Sequence, residues 1–420
     1  MPRLHLEPTS CESFIMPADP STNDQSLSRA TRVRAAAAAL CVASPHIASL
    51  QTLVGFDGFV DSITRLVRLR TSMAPDAYEP LATIAEFGER VSAASGLSTN
   101  IERVTLEDRF GGNGPLFAGA LARLGAPVTF IGAVASLDDP SSVHSAFSAF
   151  ASRCQRIIPI ASPSHTLCLE FDDGKVMLND TRQVQHVTWK RILEVVGLES
   201  FRELFAASSL VSIVNWSLLG GVPAIWQGLL RDVLPFVSST SYVNQSRPRI
   251  LFVDLSDPAK RIDADIREML TLLRELQTAG LRVILGLNHS EATRIATVAG
   301  VATPDAIGHG LESVMRCAID LQRALNVYEV VIHPREGAAS ANAQGEHDWI
   351  DGPMVRMPKL STGAGDHFNA GYCFARALNL NLSHALAIGV ATSGAYVRDA
   401  ESPSFERLCE FVATLPAAEA

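Results

Sequence analysis

Segment 361–372 reads STGAGDHFNAGY and places two glycines just before an aspartate that opens a predicted helix. Gly363 and Gly365 tolerate backbone angles that other residues resist, so the N–H groups of Gly363, Ala364 and Gly365 can converge on an anion at the helix N-terminus. Asp366 lies beside that anion and can accept a proton from a substrate hydroxyl. The amides and the helix dipole favour negative charge on a transferred phosphoryl group. The segment therefore predicts a phosphoryl-transfer site.

A pair of aspartates near the first predicted strand could bind a polyol. In VGFDGFVDSI, Asp57 and Asp61 stand four residues apart. If the chain turns into a loop there, either carboxylate can accept hydrogen bonds from vicinal hydroxyls of a polyol or sugar. If it enters a helix, the two carboxylates lie on one face and repel each other. Taken alone, the segment is explained more simply by a turn aspartate and a helix N-cap.

A second glycine cluster lies in FGGNGPLFAGALARLG. Gly111, Gly112 and Gly114 predict a flexible turn that a ligand can approach, and Pro115 suits the first helical position. A well-capped connection between a strand and a helix explains the same residues equally well. Neither glycine cluster has the spacing of a Walker A loop or a complete GxGxxG fingerprint, which argues against P-loop NTPases and dinucleotide-binding oxidoreductases.

Asn288 and Glu291, in VILGLNHSEATRI, follow a strong predicted strand. An amide and a carboxylate three residues apart at a strand end can hold a hydrated magnesium ion near nucleotide phosphates. Helix capping is the competing interpretation, with Asn288 or Ser290 beginning the helix and Glu291 favouring its positive end. Capping is preferred for this segment alone. The glycine anion site at another strand end makes the magnesium role the better hypothesis.

The elements that must position these residues alternate between strands and helices. Short β-rich runs stand at 53–56, 128–134, 210–214, 250–254, 283–287 and 329–333, and helical patterns at 223–235, 263–279, 290–298 and 310–326. This alternation predicts an α/β fold with a doubly wound, mostly parallel sheet whose ligands bind at the carboxyl ends of the strands.

Two segments do not follow the alternation. Residues 98–110 alternate polar and apolar side chains, and residues 165–178 predict a hairpin that turns at Asp173 and Gly174. We interpret them as a small β-sheet lid, although an edge extension of the main sheet fits the same pattern. Closure of such a lid would exclude water from the site.

Composition excludes several classes of protein. The chain has 420 residues and a net charge of −9, which argues against binding dominated by nucleic-acid phosphates. Its seven cysteines form no CxxC pair, so neither a zinc site nor a disulfide framework is indicated. No apolar run is long enough to span a bilayer. We expect a cytoplasmic protein with a flexible tail at 1–25 and an Ala-rich helix at 27–43.

In this order the motifs resemble the ribokinase-like, or PfkB-type, carbohydrate kinase family over most of residues 50–415. STGAGDHFNAGY is the most specific part, LNHSEA is moderately specific, and GGNG supports both. The resemblance implies a ribokinase-like domain at 26–420 with the β-sheet lid. It also implies transfer of the terminal phosphoryl group of a nucleotide to a hydroxyl of a sugar or a related polyol or nucleoside.

The resemblance also implies roles for individual residues. It makes Asp366 the catalytic base, Gly363, Ala364 and Gly365 the anion hole, Asp57, Asp61, Gly111, Gly112 and Asn113 the substrate-binding residues, and Asn288 and Glu291 the residues that place nucleotide and magnesium, with Glu291 acting through water. Leu116 and Phe117 stand where the family has an asparagine, which leaves the identity of the sugar open. His367 is interpreted as a helix-surface residue and not as a second base.

Mg²⁺ and ATP are the cofactor and co-substrate that the resemblance implies. ADP stays open as donor because GFDGFVD and GGNGPLFAGALARLG also resemble ADP-dependent sugar kinases. By family position, the adenine pocket lies near 335–350 and 392–398. Lid sheets of the family can pair between subunits, so a homodimer is a further expectation. The competing function is a non-catalytic protein on the same fold that senses a sugar or a nucleotide.

Overall fold

The structure is a computed structural model that describes residues 28–239 and 249–419. The tail predicted at 1–25 lies outside the described residues. The strands are β1 (Thr52–Phe56), β2 (Phe59–Arg70), β3 (Tyr78–Pro80), β4 (Arg103–Gly111), β5 (Val128–Gly132), β6 (Arg156–Pro159), β7 (Ser164–Phe171), β8 (Gly174–Asp180), β9 (Leu210–Ile213), β10 (Ile250–Asp254), β11 (Arg282–Leu287), β12 (Glu329–Ile332), β13 (Gly337–Asn342) and β14 (His347–Asp351).

The helices lie mostly between consecutive strands of the main sheet. They are α1 (Arg29–Ala43), α2 (Ile84–Ser92), α3 (Asn113–Arg123), α4 (Ser148–Ala151), α5 (Trp189–Val196), α6 (Leu198–Ala207), α7 (Val222–Gly228), α8 (Leu234–Ser239), α9 (Asp263–Thr278), α10 (His289–Ala299), α11 (Pro304–Ile307), α12 (Gly310–Leu325), α13 (Ala364–Ala377), α14 (Leu382–Asp399) and α15 (Phe405–Thr414). A π-helical segment, Leu229–Val233, joins α7 to α8. None of the described helices combines the length and the apolarity that crossing a membrane requires.

The main sheet is mostly parallel. Within the described residues it has nine strands in the order β14-β13-β12-β11-β10-β9-β1-β5-β6. All neighbours from β12 to β6 are parallel, while β13 and β14 add an antiparallel edge. Because the carboxyl ends of parallel strands share one edge, residues that directly follow β1, β9, β10, β11 and β12 are brought together.

Both faces of this sheet are buried, as the uninterrupted apolar runs predict. In β10, for example, Leu251 and Val253 pack into one core, with α9, α10 and α12. Ile250 and Phe252 pack into the other core, with α3, α13 and α14. Since successive strand residues point to opposite faces, each strand joins the two helical layers and holds its terminal residues in fixed positions.

A second sheet forms the lid over that edge. In the described part of the chain it has five strands, with β2 at its centre, paired with β3, β4 and β7, and with β8 beyond β7. Segment 98–110 supplies most of β4, and segment 165–178 supplies β7 and β8 around the expected hairpin turn. The long strand β2 was not predicted. A small apolar cluster that includes Leu66, Phe171 and Phe87 packs α2 against this sheet.

Candidate active site

Asp57 follows β1 directly and is completely buried. Its Oδ2 accepts hydrogen bonds from the backbone N–H of Asn113 at 2.9 Å and from Asn215 Nδ2 at 2.7 Å. Its Oδ1 accepts one from the Gly114 N–H at 2.7 Å. Burial raises the pKa of Asp57 to about 6, against the lowering effect of these donors. The carboxylate therefore holds the start of α3 and has no exposed surface.

The glycines of the second cluster are needed for this packing. A Cβ at Gly112 would lie 3.0 Å from Asp57 Oδ2, and one at Gly114 would lie 2.6 Å from Asp57 Oδ1. Gly112 also has a φ of 100°, which few other residues adopt. The turn can thus wrap around the carboxylate only if these positions lack side chains.

Asp61 lies on β2 of the lid, so the chain does not enter a helix after β1. Its side chain is half-buried and hydrogen-bonded to that of Thr166 on β7, and burial raises its pKa. A Cβ at Gly111 would meet Asp61 Oδ2 at 2.2 Å, so the carboxylate lies directly over the α-carbon of that glycine. Unlike Asp57, Asp61 is not enclosed by backbone donors of the glycine turn.

Asn113 links the glycine turn to Asp366. Its Nδ2 donates to Asp366 Oδ1 at 2.9 Å, although the two residues are 253 positions apart in the sequence. Asp366 lies in the first turn of α13 and is 9 % exposed. The structure therefore places the aspartate of the first glycine segment against the asparagine of the second.

The pKa of Asp366 lies well above its usual range. Burial is the main cause, and the negative charge of Asp254 adds to it, while the hydrogen bond from Asn113 acts in the opposite direction. A carboxylate with a raised pKa is a stronger base than an exposed aspartate. Because Asn113 occupies Oδ1, Oδ2 is left for another hydrogen-bond partner.

The loop before α13 provides free backbone donors. Gly363 is the N-cap residue, with φ 88° and ψ 0° in the left-handed region. The Ala364 N–H donates to Ser361 O at 3.2 Å and so closes the turn. Among the hydrogen bonds of the described residues, the N–H groups of Gly363 and Gly365 have no acceptor. Two of the three predicted anion-hole amides are therefore free, and the third holds the loop.

Asn288 and Glu291 form the helix cap that was the competing interpretation of their motif. The Asn288 Oδ1 accepts from Glu291 N–H at 3.0 Å, and Glu291 Oε2 accepts from Asn288 N–H at 2.9 Å. A third bond joins Asn288 Nδ2 to Glu291 Oε1 at 2.7 Å. Glu291 is buried, and burial together with the negative charge of Asp254 raises its pKa well above the usual range.

Asp254, at the end of β10, is a buried carboxylate that was not predicted, and it completes a group with Glu291 and Asp366. Its Oδ1 accepts from the Ser256 N–H and its Oδ2 from Asn369 Nδ2, at 2.8 and 2.7 Å. Burial is the main cause that raises its pKa. The charges that act most strongly on Asp254, Glu291 and Asp366 are other carboxylates. The signal in the sequence was a charged residue that ends an otherwise apolar strand, ILFVD.

This group fits a cation held through water. Within the described residues no three acidic, histidine or cysteine side chains have the geometry to hold a metal ion directly. A hydrated Mg²⁺ needs only one or two protein carboxylates when phosphates supply further ligands. The negative charge of Asp254 acts on Glu291, and a hydrated cation beside the two carboxyls would offset that repulsion.

A cavity of about 610 Å³ opens beside the free amides. Its lining includes apolar side chains of α13 and α14 and the segment after β14, namely Phe368, Val390, Val397, Pro353 and Val355. It overlaps the predicted adenine region at Arg335, Gly337 and 393–397, and extends to residues 352–358, which were not predicted. Its size and apolar wall suit a flat aromatic ligand whose anionic end reaches Gly365.

The lid touches the loop of free amides. Lys175, the second residue of β8, donates from Nζ to Thr362 Oγ1. Thr362 directly precedes Gly363, so the ammonium group lies next to the predicted anion hole. The sequence showed the hairpin but gave no sign that its lysine reaches residue 362.

The burial of His367 differs from the prediction. It is 1 % exposed and so is not a helix-surface residue. Its Nδ1 lies 2.7 Å from Gly363 O, and its Nε2 lies 2.7 Å from Ser402 Oγ. The loop at 402, far away in sequence, covers this side of α13 and explains the burial.

Comparisons with known proteins agree with this architecture. A family model described as prokaryotic ketohexokinase matches residues 30–415. The ketohexokinase of Haloferax volcanii is 30 % identical over 363 residues, which are 86 % of this chain and 90 % of that protein.

Solved structures show the same fold. Arabidopsis thaliana ribokinase, complexed with ribose and ATP, has a TM-score of 0.57 and 14 % identity, and the match covers 87 % of this chain and 99 % of ribokinase. Phosphofructokinase-2 from Escherichia coli, complexed with substrates and products, has a TM-score of 0.56 and 14 % identity, over 87 % of this chain and 99 % of that one. The predicted ribokinase-like fold with its small lid sheet is confirmed.

Proposed function

Because the chain belongs to the prokaryotic ketohexokinase family and is a carbohydrate kinase, we propose that it transfers the terminal phosphoryl group of ATP to a hydroxyl of a ketohexose. The observation that carries the proposal is the contact between Asn113 Nδ2 and Asp366 Oδ1 at 2.9 Å. Through it, the turn beside Asp61 and the loop of free amides meet at one carboxylate. A hydroxyl and a phosphoryl group can therefore be held on either side of Asp366.

Asp366 acts as the general base in this proposal. Its raised pKa makes it a better proton acceptor, and the bond from Asn113 orients the carboxylate so that Oδ2 can receive the proton of the attacking hydroxyl. The N–H groups of Gly363 and Gly365 lie at the positive end of α13 and stabilise negative charge on the phosphoryl oxygens. Ala364 contributes by holding the turn.

On the acceptor side we assign hydroxyl binding to Asp61 and give Asp57 a supporting role. Asp57 already accepts three hydrogen bonds and is completely buried, so it fixes the turn of Gly112 and Asn113. Asp61 lies over Gly111, with its carboxylate free of the turn amides. The two roles explain why the turn needs glycine both at 111, next to Asp61, and at 112 and 114, next to Asp57.

Asn288, Glu291 and Asp254 are the residues that would hold magnesium through water. When bound, the cation neutralises phosphate charge. Asn288 meanwhile keeps Glu291 in place through the capping box. The cavity beside Phe368 and Val390 receives the nucleoside. Lys175 connects the lid hairpin to the loop of free amides, which we call the phosphate loop, so that water is excluded during transfer.

Turnover with a panel of donors and acceptors tests the proposal. ATP and ADP are each supplied with fructose, another ketohexose, ribose and fructose-6-phosphate, and nucleotide consumption is measured. We expect the highest kcat/KM for ATP with a free ketohexose. Turnover with ADP as the sole effective donor would contradict the assignment of ATP. Turnover confined to ribose, or to an already phosphorylated sugar, would contradict the assignment of a ketohexose as acceptor. Light scattering of the purified protein tests the predicted homodimer.

A further inference from the structure

The phosphate loop depends on one glycine whose conformation is fixed from both sides. Gly363 has φ 88° and ψ 0°, and its φ and ψ set the relative orientation of the two peptide planes that flank it. The first plane contains Thr362 C=O and Gly363 N–H, and the second contains Gly363 C=O and Ala364 N–H. In a trans peptide the C=O and N–H groups point in opposite directions, so a donor on the carbonyl fixes the direction of the N–H.

Both carbonyl groups receive hydrogen bonds from side chains. Tyr396 Oη donates to Thr362 O at 2.7 Å, which fixes the plane that carries the Gly363 N–H. Gly363 O accepts from the His367 N–H at 3.0 Å and from His367 Nδ1 at 2.7 Å. Tyr396 thus fixes the direction of the free Gly363 N–H directly, and His367 fixes the next peptide plane, which meets the first at the Gly363 α-carbon.

The two side chains also hold each other. The rings of His367 and Tyr396 stack with centroids 3.6 Å apart and planes inclined by 15°. Since a carbonyl oxygen can only accept, His367 carries its proton on Nδ1, and Nε2 accepts from the Ser402 hydroxyl at 2.7 Å. Burial lowers the pKa of His367 to about 4, which keeps the ring neutral in this arrangement.

Resting on the function proposed above, we propose that His367, Tyr396 and Ser402 are positioning residues that hold the phosphate-binding amide of Gly363 in its catalytic direction. None of the three needs to contact either substrate. Ser402 fixes the His367 tautomer, His367 fixes the Gly363 carbonyl, and Tyr396 fixes the Thr362 carbonyl. The unit acts on the phosphoryl group alone, because the sugar-binding turn is held independently by Asp57.

Packing alone does not require this set of polar groups. A phenylalanine at 396 would keep the ring stack, and an alanine at 402 would keep the backbone of that loop. Each change removes one hydrogen bond, and the loss acts on the orientation of the peptide planes on either side of Gly363. A positioning role and a packing role therefore predict different results for the hydroxyl deletions.

The test uses Tyr396→Phe, Ser402→Ala and the conservative Ser402→Thr. We expect kcat to fall about threefold to tenfold in each of the first two, the range for one net hydrogen bond, while the KM for sugar stays unchanged. Ser402→Thr keeps the hydroxyl and restores kcat. Tyr328→Phe is the matched control, because this buried tyrosine also loses its hydroxyl contacts, which lie away from the loop. Its hydroxyl donates to Gln344 Oε1 at 3.4 Å and accepts from Arg376 Nη2 at 3.5 Å.

Hydrogen exchange provides a readout that needs no turnover. The amide hydrogens of Ala364 and His367 are bonded to Ser361 O and Gly363 O, so we expect both to exchange faster in Tyr396→Phe than in the wild type or in Tyr328→Phe. Unchanged exchange together with unchanged kcat would overturn the positioning role, as would a fall in kcat no larger than that of Tyr328→Phe. An inactive wild type would refute the proposed kinase function instead, and the exchange comparison would still decide the positioning role.

Discussion

Replacing Asp57 with asparagine should change how stability depends on pH. Burial raises the pKa of Asp57 from the ordinary 3.8 to about 6. The folded protein therefore binds a proton more tightly than the unfolded chain, and stability is lost as the pH rises from 3.8 through 6. A difference of about two pH units corresponds to about 3 kcal/mol in total. Asparagine at this position carries no such pH-dependent cost.

The asparagine also leaves one donor without an acceptor. Asn215 can turn its amide over, because its Oδ1 has no partner, but the Asn113 N–H then faces an NH₂ group. The loss, about 1–3 kcal/mol, is independent of pH. We therefore expect the free energy of unfolding of Asp57→Asn, relative to that of the wild type, to rise by about 2 kcal/mol between about pH 4.5 and about pH 8.

Urea unfolding at a series of pH values measures this difference. Asp180→Asn is the control, because Arg182 lowers the pKa of this exposed carboxyl to about 2, and the difference there should not rise with pH. A flat difference for Asp57→Asn would refute the buried, turn-holding role. A raised KM for sugar without any change in the pH dependence would instead make Asp57 a substrate ligand.

Three further predictions concern the site directly. Asp366→Asn keeps the contact with Asn113 and should lower kcat about 100-fold to 10,000-fold with little change in nucleotide or sugar binding measured by calorimetry; near-normal kcat would refute the base assignment. Gly111→Ala places a Cβ 2.2 Å from Asp61 Oδ2 and should raise the KM for sugar at least tenfold, whereas Gly88→Ala, with nothing within 4 Å of the new Cβ, should not. Glu291→Gln removes one negative charge and should raise the Mg²⁺ concentration needed for half-maximal rate; an unchanged Mg²⁺ dependence would restrict Glu291 to helix capping.

The main sheet could be predicted because its strands are apolar runs between turn signals. The runs at 53–56, 250–254 and 283–287 lie within β1, β10 and β11. Both faces of these strands are buried, so hydrophobicity alone marks them. The glycine segments were also informative, because glycine adopts left-handed backbone angles readily, as Gly363 does just before α13.

The lid was only partly predictable. Strand β2 reads FVDSITRLVRLR and does not separate polar from apolar side chains by burial: Ser62 and Thr64 are buried, whereas Leu69 is exposed. This pattern follows from its place at the centre of a thin sheet that covers a polar site, with α2 on the other face. No local signal distinguishes that environment from a loop.

Buried polar contacts between distant segments were not predictable. Asn215 and Asn369 each donate to a carboxylate more than 100 positions away in the sequence. His367 is buried by residues of α14 and by the loop at 402. Such contacts are consequences of the complete fold, and a single sequence does not indicate which polar side chains will meet.

The most direct test is the balance of products from ATP and fructose. ³¹P NMR of the complete reaction measures sugar phosphate, nucleoside diphosphate and inorganic phosphate together, in the wild type and in Asp366→Asn. We expect one ketohexose monophosphate for each ADP formed by the wild type, negligible inorganic phosphate, and almost no product from the variant. Release of inorganic phosphate without sugar phosphate, or equal sugar phosphate formation by Asp366→Asn, would contradict transfer to a ketohexose hydroxyl with Asp366 as base.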